Sequence, residues 1–192
     1  GQLQKISIRT TNMTTTNGIP VELASLSKLI SLSFASEFYV SGTIPNEIGE
    51  KLSLLSFFEM STTFISGTIP SSFSQLSRLD TLSIYNSNLS GTFPDLYDGS
   101  NTFSPINLDI SSNNFHGTIP DRFVDSESSR LKVFFGERNQ FSGTIPPSLY
   151  GQTNLEILFL SENLLTGTIS ELIGDLESVS LLVLNDNQFT GS

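Results

Sequence analysis

Apolar residues return along this chain in a fixed frame. The clearest stretch reads Leu155-x-x-Leu158-x-Leu160-x-x-Asn163-x-Leu165-Thr166-Gly167, and the next reads Val179-x-x-Leu182-x-Leu184-x-x-Asn187-x-Phe189-Thr190-Gly191. The same frame fits Leu79, Leu82, Ile84, Ser87, Leu89, Ser90, Gly91, and again Leu55, Phe58, Met60, Thr63, Ile65, Ser66, Gly67. Poorer copies begin at Leu3 and Leu29. Within each copy the Leu-x-Leu stretch alternates with a period of two, which predicts a short strand with its aliphatic side chains on one face. One such strand cannot bury that face alone. Copies stacked side by side make a parallel sheet over a continuous core.

A second signal follows each strand. Gly-Thr-Ile-Pro or a near variant places a proline at 20, 45, 70, 94, 120 and 146, with Ser170 in the seventh place; the steps are 25, 25, 24, 26, 26 and 24 residues. Periodicity of this length marks a repeat protein. The isoleucine before each proline is biased toward extended backbone. The next piece, as in Pro70-Ser-Ser-Phe73-Ser-Gln-Leu76, has three-residue apolar spacing and predicts a single helical turn on the opposite side. Eight copies are counted, the first and last incomplete, so residues 1–192 read as one domain. Terminal coils with an open apolar end are a poor design, which reads as a piece of a longer protein or a chain capped by something else.

These residues resemble the plant-specific subclass of extracellular leucine-rich repeats, over essentially the whole chain. That group includes ectodomains of receptor-like kinases and receptor-like proteins and the polygalacturonase inhibitors. Similar repeats occur in algae and other stramenopiles, so lineage stays open. The resemblance implies an α/β solenoid: an arc or superhelix with a parallel sheet on the concave side, a short second strand per repeat, and helical or 3-10 turns on the convex side. It also implies an extracellular binding role.

Several positions depart from the pattern. The asparagine slot holds Thr11, Glu37, Thr63 and Ser87 before becoming Asn113, Asn139, Asn163 and Asn187. Hydroxyls replace the amide in part, whereas an ionised Glu37 has no proton to donate. An extra residue before Gly42 predicts a bulge, and Tyr97–Phe103 predicts a looped-out segment. Gly136 stands in an inward slot, so either that strand bulges or its frame shifts and Phe135 turns toward the core. The paired-cysteine caps of the family are missing.

Chemistry has little raw material. There is no cysteine, which excludes disulfides, thiol catalysis and zinc–thiolate sites, and only one histidine, His116, so Ser-His and Cys-His triads have almost no raw material. No catalytic or cofactor site is expected. The acidic groups Asp95 and Asp98, and Asp121, Asp125 and Glu127, lack calcium-loop spacing and read as solvated loop carboxylates. A net charge of −10 disfavours nucleic acid and anionic membranes. No apolar run is long enough to span a membrane, and Gly1-Gln2-Leu3-Gln4 is not a signal peptide, so a secretion signal would lie outside the chain. Two N-glycosylation sequons, at Asn12 and Asn88, fit a secreted or cell-surface protein.

Residues between the inward leucines face the concave surface, where function is free to vary. In the first five units they are Lys5, Ser7, Arg9; Ser31, Ser33, Ala35; Phe57, Glu59, Ser61; Thr81, Ser83, Tyr85; and Asn107, Asp109, Ser111. Phe57 and Tyr85 are isolated aromatics in a polar field. The last three units give Val133, Phe135, Glu137; Ile157, Phe159, Ser161; and Leu181, Val183, Asn185. That half is apolar and rimmed by Glu137, Arg138, Glu162 and Asp186, which points to a docking face. The alternative is that further sequence covers it, or that strand propensity chose these residues. The leading function is recognition of a protein, peptide or cell-wall glycan. Against it stands a structural or adhesive role with end-to-end or side-by-side self-association. Ice binding ranks third, because the irregular asparagine slots argue against a regular array.

Overall fold

The computed structural model describes residues 3–8, 18–35, 40–96, 103–121 and 130–191. Thr11, Asn12, Glu37, Asp98, Asp125 and Glu127, the bulge expected before Gly42 and most of the expected loop after Tyr97 fall outside them. Among the described residues fifteen strands occur: β1 Lys5–Ile8, β2 Ser31–Ala35, β3 Ser41–Gly42, β4 Phe57–Ser61, β5 Phe64–Gly67, β6 Thr81–Tyr85, β7 Asn88–Thr92, β8 Asn107–Asp109, β9 Asn114–Thr118, β10 Val133–Phe135, β11 Gln140–Gly143, β12 Ile157–Phe159, β13 Leu164–Gly167, β14 Leu181–Val183 and β15 Gln188–Phe189. They form two sheets. The longer is β1-β2-β4-β6-β8-β10-β12-β14, the shorter β15-β13-β11-β9-β7-β5-β3. Every pairing is parallel and joins neighbouring coils. On the far side the described residues include helices at Asn46–Lys51 (α1) and Pro147–Tyr150 (α2), and 3-10 turns at Val21–Ser25, Ser71–Gln75 and Glu171–Asp175. This is the leucine-rich-repeat solenoid that the period implied, with the eight-stranded sheet on its concave side.

The strands form because alternate residues go inward. Leu32, Phe58, Leu82, Leu108, Phe134 and Leu158 line one buried row; Met60, Ile84, Ile110 and Leu160 line the next. Ile65, Leu89, Phe115, Phe141 and Leu165 supply the inward row of the shorter sheet, and the rings of Phe115 and Phe141 stack with centroids 6.2 Å apart. Burial comes from neighbouring coils. Leu158 is 1% exposed, whereas Leu182, one coil further in the same row, is 38% exposed. A buried leucine or phenylalanine contributes roughly 1.5–3 kcal/mol, so each coil's share depends on the coil beside it.

Gly136 neither bulges the strand nor shifts the frame. Val133, Phe134 and Phe135 pair in straight register with Ile157, Leu158 and Phe159. The volume that a leucine would occupy is filled sideways: a Cβ at Gly136 would stand 3.2 Å from the Phe134 ring and 3.0 Å from Leu160 Cδ2. A large residue two positions earlier compensates for the missing side chain, and Phe135 stays on the concave face.

Asparagines tie the later coils together. Asn139 Oδ1 accepts the Phe115 N–H at 3.0 Å, and its Nδ2 donates to the carbonyls of Ile110, Gly136 and Glu137 at 2.9, 3.3 and 3.3 Å. Asn113, Asn163 and Asn187 repeat the arrangement. One amide therefore satisfies buried backbone groups of its own coil and of the preceding one.

The Gly-Thr dipeptide has a packing reason as well as a conformational one. Gly143 sits at φ 74°, and a Cβ there would meet the Thr118 methyl of the preceding coil at 2.9 Å. The same threonine-on-glycine contact recurs at Gly67, Gly91, Gly117, Gly167 and Gly191. Those threonines, Thr43, Thr68, Thr92, Thr118, Thr144 and Thr168, are exposed and stand one per coil beside the shorter sheet.

Candidate ligand-binding face

The register of the long sheet places the outward side chains in rows across the coils. One row runs Ser31, Phe57, Thr81, Asn107, Val133, Ile157, Leu181. The next runs Ser33, Glu59, Ser83, Asp109, Phe135, Phe159, Val183. Both change character between β8 and β10. Val133, Phe135, Ile157, Phe159 and Val183 are half-buried, and Leu181 is 47% exposed. Phe135 and Phe159 meet edge to face with centroids 5.1 Å apart, a geometry that favours aromatic pairs. The six apolar residues expected to lie together do so, on three adjacent strands. Phe57 on β4 and Tyr85 at the end of β6 are kept apart from them by β8.

A rim of polar groups borders this patch. Thr62, Asn86, Ser112, Arg138, Glu162 and Asp186 occupy one equivalent position per coil, each with φ between 51° and 56°. This left-handed backbone is uncommon for residues other than glycine, and it turns the chain from the long sheet toward the short one. Arg138 Nε bonds Glu162 Oε1 at 2.9 Å along this rim, which raises the guanidinium pKa further. Lys132 Nζ bonds Glu156 Oε1 at 2.7 Å, and Arg130 Nη1 bonds Asp80 Oδ1 at 2.9 Å.

Two carboxylates sit against the apolar patch. Asp109 pairs in register with Phe135, and its Oδ1 accepts both the Ser111 N–H at 3.0 Å and the Ser111 hydroxyl at 2.7 Å. Burial still holds its pKa above the ordinary carboxylate range, against the lowering effect of those bonds. Glu137 follows β10 on the same face. Burial raises its pKa too; its own backbone N–H lowers it, and the nearby Asp109 charge raises it again. Glu137 Oε2 is buried without a hydrogen-bond partner. Asp109 appeared in the sequence only as one polar residue of a column; its place beside Phe135 emerges when β8 is laid beside β10. By contrast Glu59 Oε2 accepts the Ser33 hydroxyl at 2.7 Å.

The remaining candidates lie elsewhere. Asn88 opens β7 of the shorter sheet and is exposed. Asp121 Oδ1 accepts the Ser148 N–H at 3.1 Å. His116 is exposed on β9. Among the described residues no group of three potential ligands could hold a metal ion, and no helix is long and apolar enough to cross a membrane.

The family model described as the "EGF-like domain-containing protein ComC LRR domain" matches residues 2–129, and the general Leucine Rich Repeat model matches 154–176. The chain is a leucine-rich-repeat protein. No curated protein matches it in sequence. Among solved structures, this leucine-rich-repeat chain is similar to the plant peptide hormone receptor RGFR1 in complex with RGF2, at 27% identity and a TM-score of 0.84 over 97% of this chain and 29% of that one. It is similar to the Arabidopsis receptor kinase HAESA in complex with the peptide hormone IDA and the co-receptor SERK1, at 28% identity and 0.75 over 96% and 34%. It is also similar to a plant ice-binding protein, at 25% identity and 0.77 over 96% and 56%. The chain thus spans about three tenths of the receptor's length.

Proposed function

We propose that this chain is an extracellular binding scaffold for a peptide or protein segment, docked on the concave face of its sixth to eighth coils. One observation carries the reading: Val133, Phe135, Ile157, Phe159, Leu181 and Val183 form an unbroken, solvent-reached apolar field on three strands, beside a mostly polar field on the strands before them. A contiguous apolar surface of this kind marks interaction sites. Similarity to receptors whose structures hold peptide hormones supports the same reading. An exposed sequon at Asn88 suits an extracellular chain. The scaffold has no role for a catalytic group. The test is selection of random twelve-residue peptides on the purified chain, followed by binding to Phe159→Ala/Val183→Ala. Selected peptides should lose affinity for that variant by about tenfold or more, with far-ultraviolet circular dichroism unchanged. Peptides that bind both proteins equally would defeat the proposal.

A second reading, ice binding, is favoured by one observation. Of the irregular asparagine slots that counted against it, the two described are buried: Thr63 is 4% and Ser87 7% exposed. The exposed array is the threonine column from Thr43 to Thr168, which repeats once per coil without a gap. A thermal-hysteresis assay on wild type and Thr118→Tyr decides it; activity in the wild type that falls in the variant supports this reading, and no activity removes it.

A further inference from the structure

The patch is not merely apolar. In the row across the concave face, Asp109 is the immediate neighbour of Phe135, which leans edge-on against Phe159. Glu137 stands two residues beyond Phe135 on the same strand face, close enough to Asp109 for the charges to repel. Parallel strands lie about 4.8 Å apart, so the two carboxylates and the two rings fit within the span of one long side chain and its neighbour.

Among the described residues no cation is bonded to either carboxylate of this pair. Arg130, Lys132 and Arg138, the described cations of the same coil, are each bonded to another acid: Asp80, Glu156 and Glu162. Of these only Arg138 is near enough to moderate Glu137, and its Nε is already spent on Glu162. Glu137 Oε2 lies buried with no donor, whereas Asp109 and Glu59, the other half-buried acids described on the concave face, each receive at least one hydrogen bond. A buried carboxylate oxygen without a partner costs free energy; such an arrangement on a binding face marks a site completed from outside. Two carboxylates fall short of the oxygen set that a divalent cation takes, and the aromatic edges favour a flat, weakly hydrated cation over a compact one.

We propose that the segment bound on this face carries a cationic side chain, arginine above all, beside an apolar residue, with Asp109 and Glu137 receiving the cation and Phe135 and Phe159 receiving its apolar neighbour. This deepens the concave-face reading and rests on it. Cation recognition then sets specificity, and apolar contact supplies the bulk of the affinity.

The experiment uses the full chain and the same random peptide library, selected in parallel on wild type and on Asp109→Asn/Glu137→Gln. Both substitutions keep shape, and urea unfolding verifies the fold; Asp109→Asn alone serves where the double variant is unstable. Peptides from the wild type should be enriched in arginine or lysine next to an aliphatic or aromatic residue. Peptides from the variant should keep the apolar residue and lose the basic one. The best wild-type peptide should bind the variant about tenfold or more weakly and weaken as salt rises. Peptides that need Phe159 yet show no basic enrichment, or an enrichment that survives in the variant, overturn this inference and leave the binding face standing. Peptides indifferent to both pairs of substitutions overturn the two together.

Discussion

The first described coils and the later ones solve the same problem with different chemistry. At the slot following each long-sheet strand, the third and fourth coils carry hydroxyls: Thr63 and Ser87 face each other with oxygens 2.9 Å apart. The later coils carry amides, each satisfying four backbone groups on two coils. Yet β4 and β6, joined where the hydroxyls stand, pair over five residues in unbroken register. Strand register therefore does not depend on the asparagines. Inward apolar side chains and the sheet set it, and the amides remove the cost of backbone groups that would otherwise lie buried and unmet. The difference separates what specifies a fold from what stabilises it.

That separation is open to attack by substitution. Asn139→Ala strands the Phe115 N–H and three carbonyls, and should lower stability by about 3 kcal/mol in urea unfolding with the sheet retained. Thr63→Ala removes one hydroxyl pair and should cost about 1 kcal/mol. Equal losses at the two positions would erase the contrast. A second comparison uses glycine. Gly143→Ala forces a Cβ into positive φ and against the Thr118 methyl, and should cost about 1–3 kcal/mol. Gly174, in the turn Glu171–Asp175, has nothing within 4 Å of the same position; Gly174→Ala should be neutral or stabilise by up to about 1 kcal/mol.

A pH profile sharpens the view of the later coils. Burial raises the folded pKa of Asp109 and Glu137. Their contribution to stability is therefore complete below the ordinary carboxylate range and is lost as pH rises through the elevated folded values. Asp109→Asn/Glu137→Gln should gain stability relative to wild type as pH rises above the ordinary carboxylate range of about 4, measured by urea unfolding at each pH. A constant difference would mean that the two acids are solvated. The smallest effect is expected at Lys132→Ala, which opens a half-exposed ion pair with Glu156 and should move stability by no more than about 0.5 kcal/mol.

The solenoid was legible because its information is periodic: a strand frame and a turn recurring every 24 to 26 residues leave one way to stack. The concave columns were legible for the same reason, since period two assigns each side chain to a face. Three features were not. Gly136 is accommodated by the tilt of the Phe134 ring, a rotamer matter that spacing does not encode. The threonine-on-glycine contact joins residues in different coils, so within one repeat the glycine shows only its turn-forming role. The Asp109 and Glu137 site depends on where three cations send their charges, and each chooses a partner at least 24 residues away. Repetition reveals the scaffold; the departures from repetition reveal the site only when neighbours are seen side by side.

The asparagine bonds also have a direction. Asn113 takes the Leu89 N–H and gives to the Ile84 carbonyl, both on the coil made before it, and Asn139, Asn163 and Asn187 reach backward in the same sense. During synthesis each emerging coil thus completes the one that left the ribosome just ahead of it. Unmet polar groups stay confined to the newest coil, so this part of the chain is suited to growing like a zipper closed from its amino-terminal side, with little interior exposed at any moment to a wrong partner.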